Sequence, residues 1–251
     1  MRGLIFDIKE MALSDGPGIR TTVFFKGCPM RCRWCHNPEG LLAKRELLYN
    51  KARCIGCGSC DVKCRHPECA AFGKCILSCP ENCLKVTGRE VDSHVLAGEL
   101  CENARILGDA FGGFTFSGGE PLFQPEFLHS LAGELDGYHL CIETSGYADK
   151  DTFISSAKAM DYVIMDIKLM DDACHKKYTG RSNAPIIENY KSLRKIGKPY
   201  LIRTPLIPGI TDTDENLSAI KKLIGDDAWE LIPYNSLAGA KYPMLGKKYE
   251  L

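Results

Sequence analysis

The stretch GCPMRCRWCHNPEG, Gly27–Gly40, places three cysteines, Cys28, Cys32 and Cys35, at the spacing C-x3-C-x2-C. It follows directly on an apolar, β-branched run, RTTVFFK at Arg20–Lys26, that reads as a strand. The triplet therefore occupies the loop leaving a strand's C-terminal end. Cysteine-built metal sites ordinarily take four protein ligands. Three thiolates without a fourth leave one metal position open, and an open position is where a metal does chemistry. Zinc completed by His36 is the alternative, but structural zinc favours paired C-x2-C knuckles. The spacing points instead to the cradle of a [4Fe–4S] cluster with one iron lacking a protein ligand.

Outward from this loop, apolar strand patterns alternate with helical ones. Strands are expected at Arg20–Lys26, Gly113–Ser117, His139–Thr144, Tyr162–Lys168, Tyr200–Pro205 and Glu230–Tyr234. Helices are expected at Val91–Leu107, with Asp92 or Ser93 near its start, and at Pro125–Leu135, Lys150–Ala159, Ile186–Ile196 and Asp214–Ile224. Such alternation argues for an α/β fold with a parallel sheet, here a partial (β/α)6 barrel or a strongly curved open sheet. In barrels the functional groups gather at the C-terminal ends of the strands. The polar clusters SGGEP, ETSG, DIK, IRTPLIPG and PYN each end or follow a strand pattern, so they should converge with the cysteine triplet on one mouth.

Bulk properties narrow the class. The chain has 251 residues, enough for one core plus a small appendage, and Lys+Arg and Asp+Glu are both 32. That balance gives no sign of a nucleic-acid-binding face. No apolar run reaches the roughly 20 residues of a membrane span, and the N-terminus lacks a signal-peptide pattern, so a cytoplasmic protein is expected. A reducing compartment disfavours a disulfide framework for the 14 cysteines. Cys101, Cys141 and Cys174 read as buried thiols. The other cysteines crowd between Cys28 and Cys83 and read as metal ligands.

Most of them lie in an aperiodic segment, residues 49–88, that looks like an insertion dividing a core of residues 1–48 and 89–251. Cys54, Cys57, Cys60 and Cys64 follow C-x2-C-x2-C-x3-C, the run of two-cluster bacterial ferredoxins, whose fourth cysteine serves the other cluster. In the second half Cys69, Cys75 and Cys79 hold the first, third and fourth positions, and Phe72 stands at the second. One cluster is then expected on Cys54, Cys57, Cys60 and Cys79. Another is expected on Cys64, Cys69 and Cys75, with Cys83 as substitute fourth ligand. A pair of zinc knuckles is the alternative.

Several motifs in order give the chain a resemblance over nearly its whole length. They are DGPGIR at Asp15–Arg20, the cysteine segment, FSGGEPLFQPEF at Phe116–Phe127, ETSGY at Glu143–Tyr147, DIKLMD at Asp166–Asp171 with HKKYTG after it, IRTPLIPGITD and LIPYNSLAGAKY. The chain resembles the radical S-adenosylmethionine enzymes and, more narrowly, the glycyl-radical-enzyme activating enzymes with a ferredoxin-like insertion. The resemblance implies that S-adenosylmethionine chelates the open iron, and that one electron cleaves it to methionine and a 5′-deoxyadenosyl radical. That radical would take a hydrogen from a glycine of a partner glycyl radical enzyme. A flavodoxin or ferredoxin would supply the electron, and the iron–sulfur sites imply anaerobic work.

The resemblance also implies roles by residue. Gly118 and Gly119 receive the methionyl amino group, with Glu120 supporting their loop. Asp166, Ile167 and Lys168 meet the cofactor's carboxylate and ribose, and Arg203 neutralises the carboxylate. Trp34 and His36 touch the adenine. Asn235 stands where many relatives carry a histidine facing the adenosyl group. Asp15 lies near the mouth and contacts the incoming loop. A monovalent cation would use Glu143, Thr144, the Ile164 carbonyl and Asp166, although the simplest relatives have aspartate in place of Glu143. Two rivals differ in class: a radical enzyme for a small molecule, which wants a closed pocket, and a non-catalytic iron–sulfur electron carrier, which needs neither SGGEP nor DIK.

Overall fold

The computed structural model describes residues 1–251, apart from the side chains of Asn103 and Asp109. Its strands are β1 (Arg2–Ala12), β2 (Ile19–Phe25), β3 (Glu46–Tyr49), β4 (Leu84–Thr87), β5 (Arg89–Asp92), β6 (Phe111–Gly118), β7 (Leu140–Thr144), β8 (Tyr162–Asp166), β9 (Tyr200–Leu206) and β10 (Trp229–Pro233). Eight of them form one sheet in the order β10-β9-β8-β7-β6-β2-β1-β5. From β2 through β6, β7, β8, β9 and β10 every neighbour is parallel and in chain order. These are the expected strands, and they give a mostly parallel, open α/β sheet of the partial-barrel kind.

The helices are α1 (Ser93–Leu107), α2 (Pro125–Glu134), α3 (Lys150–Lys158), α4 (Asp172–Thr179), α5 (Ala184–Ile196) and α6 (Asp214–Ile224). Their starts follow local chemistry. Asp92, Asp149, Asp171 and Thr213 each accept a hydrogen bond from the first turn, and Pro125 and Pro185 open α2 and α5. Gly197 ends α5 at φ +76°, as expected for a left-handed stop. Helix α4 was not foreseen, because DACHKKYT carries little apolar periodicity.

Strands β1 and β5 were not foreseen either. β1 runs antiparallel to β2, and β5 pairs antiparallel with β1. Val91, expected in a helix, therefore belongs to a strand. The sequence of β1 alternates charge with apolar residues and offers no apolar run to find.

Alternation along the parallel strands sorts their side chains by face. Val23, Phe25, Phe114, Phe116, Ile142, Val163, Met165 and Ile202 join α1, α2, α3, α5 and α6 in the main core. The intervening residues are largely polar and bond one another: Thr22 to Asp15, Thr115 to the Asp15 carbonyl, Ser117 to Glu143 and Glu143 to Arg203. One face is thus an apolar core and the other a polar interior leading to the strand ends. Of the three cysteines outside the ligand-rich region, Cys141 is buried and Cys101 half-buried, but Cys174 is exposed, so the buried-thiol reading fails for it. No helix among the described residues is long and apolar enough to cross a membrane.

Candidate active site

A cavity of about 240 Å³ opens at the C-terminal ends of the parallel strands. All six strands reach it: Cys28 just after β2, Ser117 to Gly119 from β6, Glu143 to Ser145 from β7, Asp166 and Lys168 from β8, Pro205 from β9 and Ile232 from β10. Cys28, Cys32 and Cys35 line it together, with Trp34 and His36 beside them. This convergence is what parallel strands with crossover helices produce, since every loop at that end leaves a strand pointing the same way.

The cysteine loop is held on three sides. Below it, the Gly27 amide donates to the Gly40 carbonyl at 2.7 Å and the Glu120 amide to the Gly27 carbonyl at 2.9 Å. Gly118 has φ +114°, and a Cβ on Gly119 would stand 2.4 Å from both the Gly27 and Gly40 oxygens. Only glycine allows this approach of the SGGEP turn to the cysteine loop. Behind it, the Arg31 amide donates to the Thr179 carbonyl at 2.7 Å and the Arg33 amide to Tyr178 at 3.0 Å, so the end of α4 backs the loop. Above it, the C-terminal segment straps across: the Tyr242 hydroxyl donates to the Cys35 carbonyl at 3.0 Å, and Lys247 reaches the Pro38 carbonyl at 3.1 Å. Lys241 pairs with Glu39. The SGGEP turn, HKKYTG and the LIPYNSLAGAKY segment that ends in Lys241 and Tyr242 were singled out as motifs, but their packing around the cysteine loop was not foreseen.

Gly119→Ala tests the first support. Forcing a methyl into backbone of fixed position costs about 3 kcal/mol, which in a chain of this size lowers Tm by roughly 6–12 °C. Thermal unfolding and the iron retained at the Cys28–Cys32–Cys35 site check it; both should fall together.

Burial dominates the electrostatics. It pushes the Cys32 thiol up to about 12 and raises Cys28 and Cys35 as well. Such thiols become thiolates only when a cation replaces the proton, which suits a metal-ligand set. Iron–sulfur ligation therefore fits the donor set and its placement around a cavity. Burial also opposes the Lys168 ammonium, but Asp166, 2.7 Å away, and then Cys32 hold it charged. Burial raises the Glu143 carboxyl, with Asp166 adding to it, while Ser117 and Arg203 pull it back. His36 is held low by burial and then by Lys241. Glu120 lies beneath the cavity, fully buried, accepting from Leu122, Thr144 and Ser145.

Other expected site residues fall elsewhere. Arg203 does not line the cavity. Its Nη1 donates to Glu143 at 2.9 Å, its Nε to Glu230 and its Nη2 to the Ser14 carbonyl, so two carboxylates already neutralise it. Asn235 caps the turn after it, accepting from the Leu237 amide at 3.0 Å. Ile167 is buried and its backbone is committed: its amide donates to the Arg203 carbonyl and its carbonyl accepts from Thr204. Asp15 accepts from Thr22 at 2.7 Å and is not among the residues lining the cavity. At the expected cation position, Lys168 and Arg203 already sit on Asp166 and Glu143, and Thr144 donates to Glu120. Lining residues that sequence reading did not single out are Met30, Asn37, Leu41, Ser117, Ser145, Pro205 and Ile232.

The β3–β4 ribbon, pairing Glu46 with Thr87 and Tyr49 with Leu84, closes the base of the cysteine-rich insertion. Cys54, Cys57, Cys60, Cys79 and Cys83 line one pocket there. The Tyr49 hydroxyl donates to Cys54 Sγ at 3.0 Å and the Cys83 amide to Cys79 Sγ at 3.3 Å. Cys83 is therefore not the substitute ligand of the second group. The ribbon fixes it: Leu84 is in register with Tyr49, and the Asn50 amide donates to the Cys83 carbonyl at 2.8 Å. Cys64, Cys69 and Cys75 form a separate trio.

Comparison with known proteins agrees with this geometry. The radical SAM superfamily matches residues 22–219. The isethionate sulfite-lyase activating enzyme of Nitratidesulfovibrio vulgaris is 37% identical, over 98% of this chain and 88% of that protein. The trans-4-hydroxy-L-proline dehydratase activating enzyme of Clostridioides difficile is 36% identical, over 100% and 90%. The choline trimethylamine-lyase activating enzyme of Oleidesulfovibrio alaskensis is 33% identical, over 100% and 89%. In fold alone, the chain is similar to a radical SAM methyltransferase from Sphaerobacter thermophilus, with TM-score 0.54 at 14% identity over 91% of this chain and 58% of that one. With its cysteine loop at the ends of six parallel strands and its full-length likeness to these proteins, the chain belongs to the radical SAM superfamily and, within it, to the glycyl-radical-enzyme activating enzymes.

Proposed function

We propose that the cavity over Cys28, Cys32 and Cys35 binds S-adenosylmethionine against a [4Fe–4S] cluster, and that the chain uses it to place a radical on a glycine of a separate enzyme. The observation that carries this reading is the meeting of the three thiols with the Asp166–Lys168 pair and the SGGEP turn in one cavity. When bound, cluster and cofactor together supply a 5′-deoxyadenosyl radical, released with methionine by one-electron reduction.

The chain's own residues bind and orient. Cys28, Cys32 and Cys35 hold the cluster as thiolates and leave one iron for the cofactor. The Gly118–Gly119 backbone offers polar groups where no side chain intrudes. Lys168 and Asp166 present opposite charges for an amino-acid end and a ribose. Trp34 and His36 line the cavity beside Cys35 and offer ring faces for a flat base. Arg203 is a positioning residue: it fixes Glu143, which in turn holds Ser117. A monovalent cation at Glu143, Thr144 and Asp166 would share these carboxylates with Arg203 and Lys168.

Cys54, Cys57, Cys60 and Cys79 are suited to a further [4Fe–4S] cluster that takes electrons from a flavodoxin or ferredoxin. The test mixes the reduced chain and S-adenosylmethionine anaerobically with a candidate glycyl radical enzyme, such as an isethionate sulfite-lyase. Electron spin resonance should show a glycyl radical on that enzyme, lost when its loop glycine is replaced by alanine. Cleavage of S-adenosylmethionine with no radical on any glycyl radical enzyme would overturn the assignment.

A further inference from the structure

The two halves of the insertion are not alike. Among the described residues, Cys64, Cys69 and Cys75 are the only trio of metal-ligating side chains whose ligand atoms all lie within 4.8 Å of one another. Cys64 and Cys69 approach to 3.1 Å between sulfurs. Neither the active-site triplet nor the Cys54 group is drawn in so closely; their sulfurs stand apart around a pocket. The difference has a simple meaning. In a cubane each thiolate sits on its own iron, outside a core several ångströms across. Around a single tetrahedral ion with metal–sulfur bonds of about 2.3 Å, sulfurs stand roughly 3.8 Å apart.

The fourth thiolate that a cubane would use is missing as well. Phe72 stands at its position, and Cys83 is fixed in the other pocket by the β3–β4 ribbon. One other donor is close in the chain. His66 lies in the loop joining Cys64 to Cys69, where its amide donates to Cys64 Sγ at 3.3 Å and its carbonyl accepts from the Cys69 amide at 3.2 Å. Its Nδ1 is buried with no hydrogen-bond partner among the described residues, and neither ring nitrogen lies within 4.8 Å of all three sulfurs, so ligation requires the ring to turn toward them. A buried nitrogen left unpaired is unfavourable, and a metal bond would satisfy it.

We propose that Cys64, Cys69 and Cys75 bind a single divalent ion of the zinc class, with the imidazole of His66 as fourth ligand, in place of a second insertion cluster. Three thiolates and one imidazole form a common structural zinc set. Cys69 and Cys75 are buried and Cys64 half-buried, which suits a closed site without substrate access. Zinc has no redox chemistry, so the insertion would carry one electron-transfer cluster and one structural pin. The pin would steady the Arg65–Cys69 loop, which Arg45 of the core holds through the Pro67 and Glu68 carbonyls.

The test is the metal content of the chain purified anaerobically from cells given both iron and zinc, with zinc-edge X-ray absorption of the product. About one zinc beside about eight irons per chain is expected, with three sulfurs and one nitrogen around the zinc. About twelve irons and no zinc would overturn the proposal, as would about eight irons and no zinc. In His66→Ala, competition with a zinc chelator should show affinity falling by more than the roughly 10–100-fold typical of losing an outer-shell partner. Unchanged affinity would overturn the role of His66. Cleavage of S-adenosylmethionine with a small-molecule reductant should be unaltered in this variant, so the fate of this proposal is read separately from that of the active site.

Discussion

Cys32→Ala should abolish cleavage of S-adenosylmethionine while leaving the protein folded. The three thiols line one cavity at the strand ends, and if they are the proposed protein ligands, removing one leaves two iron positions without a protein ligand. No neighbouring cysteine can substitute, because the insertion cysteines line a pocket of their own. The effect on stability should be small, about 1–2 kcal/mol or less. The core between the sheet and its helices does not depend on the loop, and Cys32 only packs against its margin. Cleavage is read by the 5′-deoxyadenosine formed under strong reductant, and folding by circular dichroism and Tm. A variant that still forms 5′-deoxyadenosine at the parent's rate would refute the assignment of the site.

Cys57→Ala should separate the insertion from the chemistry. Cys57 is exposed at the rim of its pocket, so its replacement removes a ligand with little loss of packing. If the insertion passes electrons inward, the variant loses nearly all activity with flavodoxin or ferredoxin. It keeps activity with a small reductant that reaches the active-site cluster directly. If the insertion instead serves to dock the partner, radical formation on the partner fails with both reductants, while partner-free cleavage persists. Activity equal to the parent under every condition would exclude both roles. A relay with one cluster, rather than two, is what the zinc proposal implies, and it makes this single substitution decisive.

The sequence alone determined the parallel strands and the mouth at which they end, and it pointed to metal ligation by the first cysteine triplet. Buried parallel strands are short apolar runs, and the polar motifs closing each run mark the site because all the strands point one way. Thiolate chemistry is equally legible, since it depends on residue type and on spacing within one loop. β1 and α4 were not legible: β1 mixes charge with apolar residues along an antiparallel pairing, and α4 has few apolar positions to set a period.

Only the tertiary structure decided which polar side chains face the cavity. Arg203, Asp15 and Asn235 carry the right chemistry at the right place in the chain, but other partners claim them, distant in sequence for Arg203 and nearby for Asp15 and Asn235. Glu143, Glu230 and the Ser14 carbonyl take Arg203, Thr22 takes Asp15, and the following turn takes Asn235. The same holds for Cys83. Spacing permits it in either cysteine group, and the pairing of β3 with β4 puts it in one. The strap that Tyr242, Lys241 and Lys247 lay across the cysteine loop likewise depends on contacts some two hundred residues apart. Spacing constrains a ligand set within a loop because short chain segments limit reach. Between loops, reach is set by packing, and packing is a property of the folded chain.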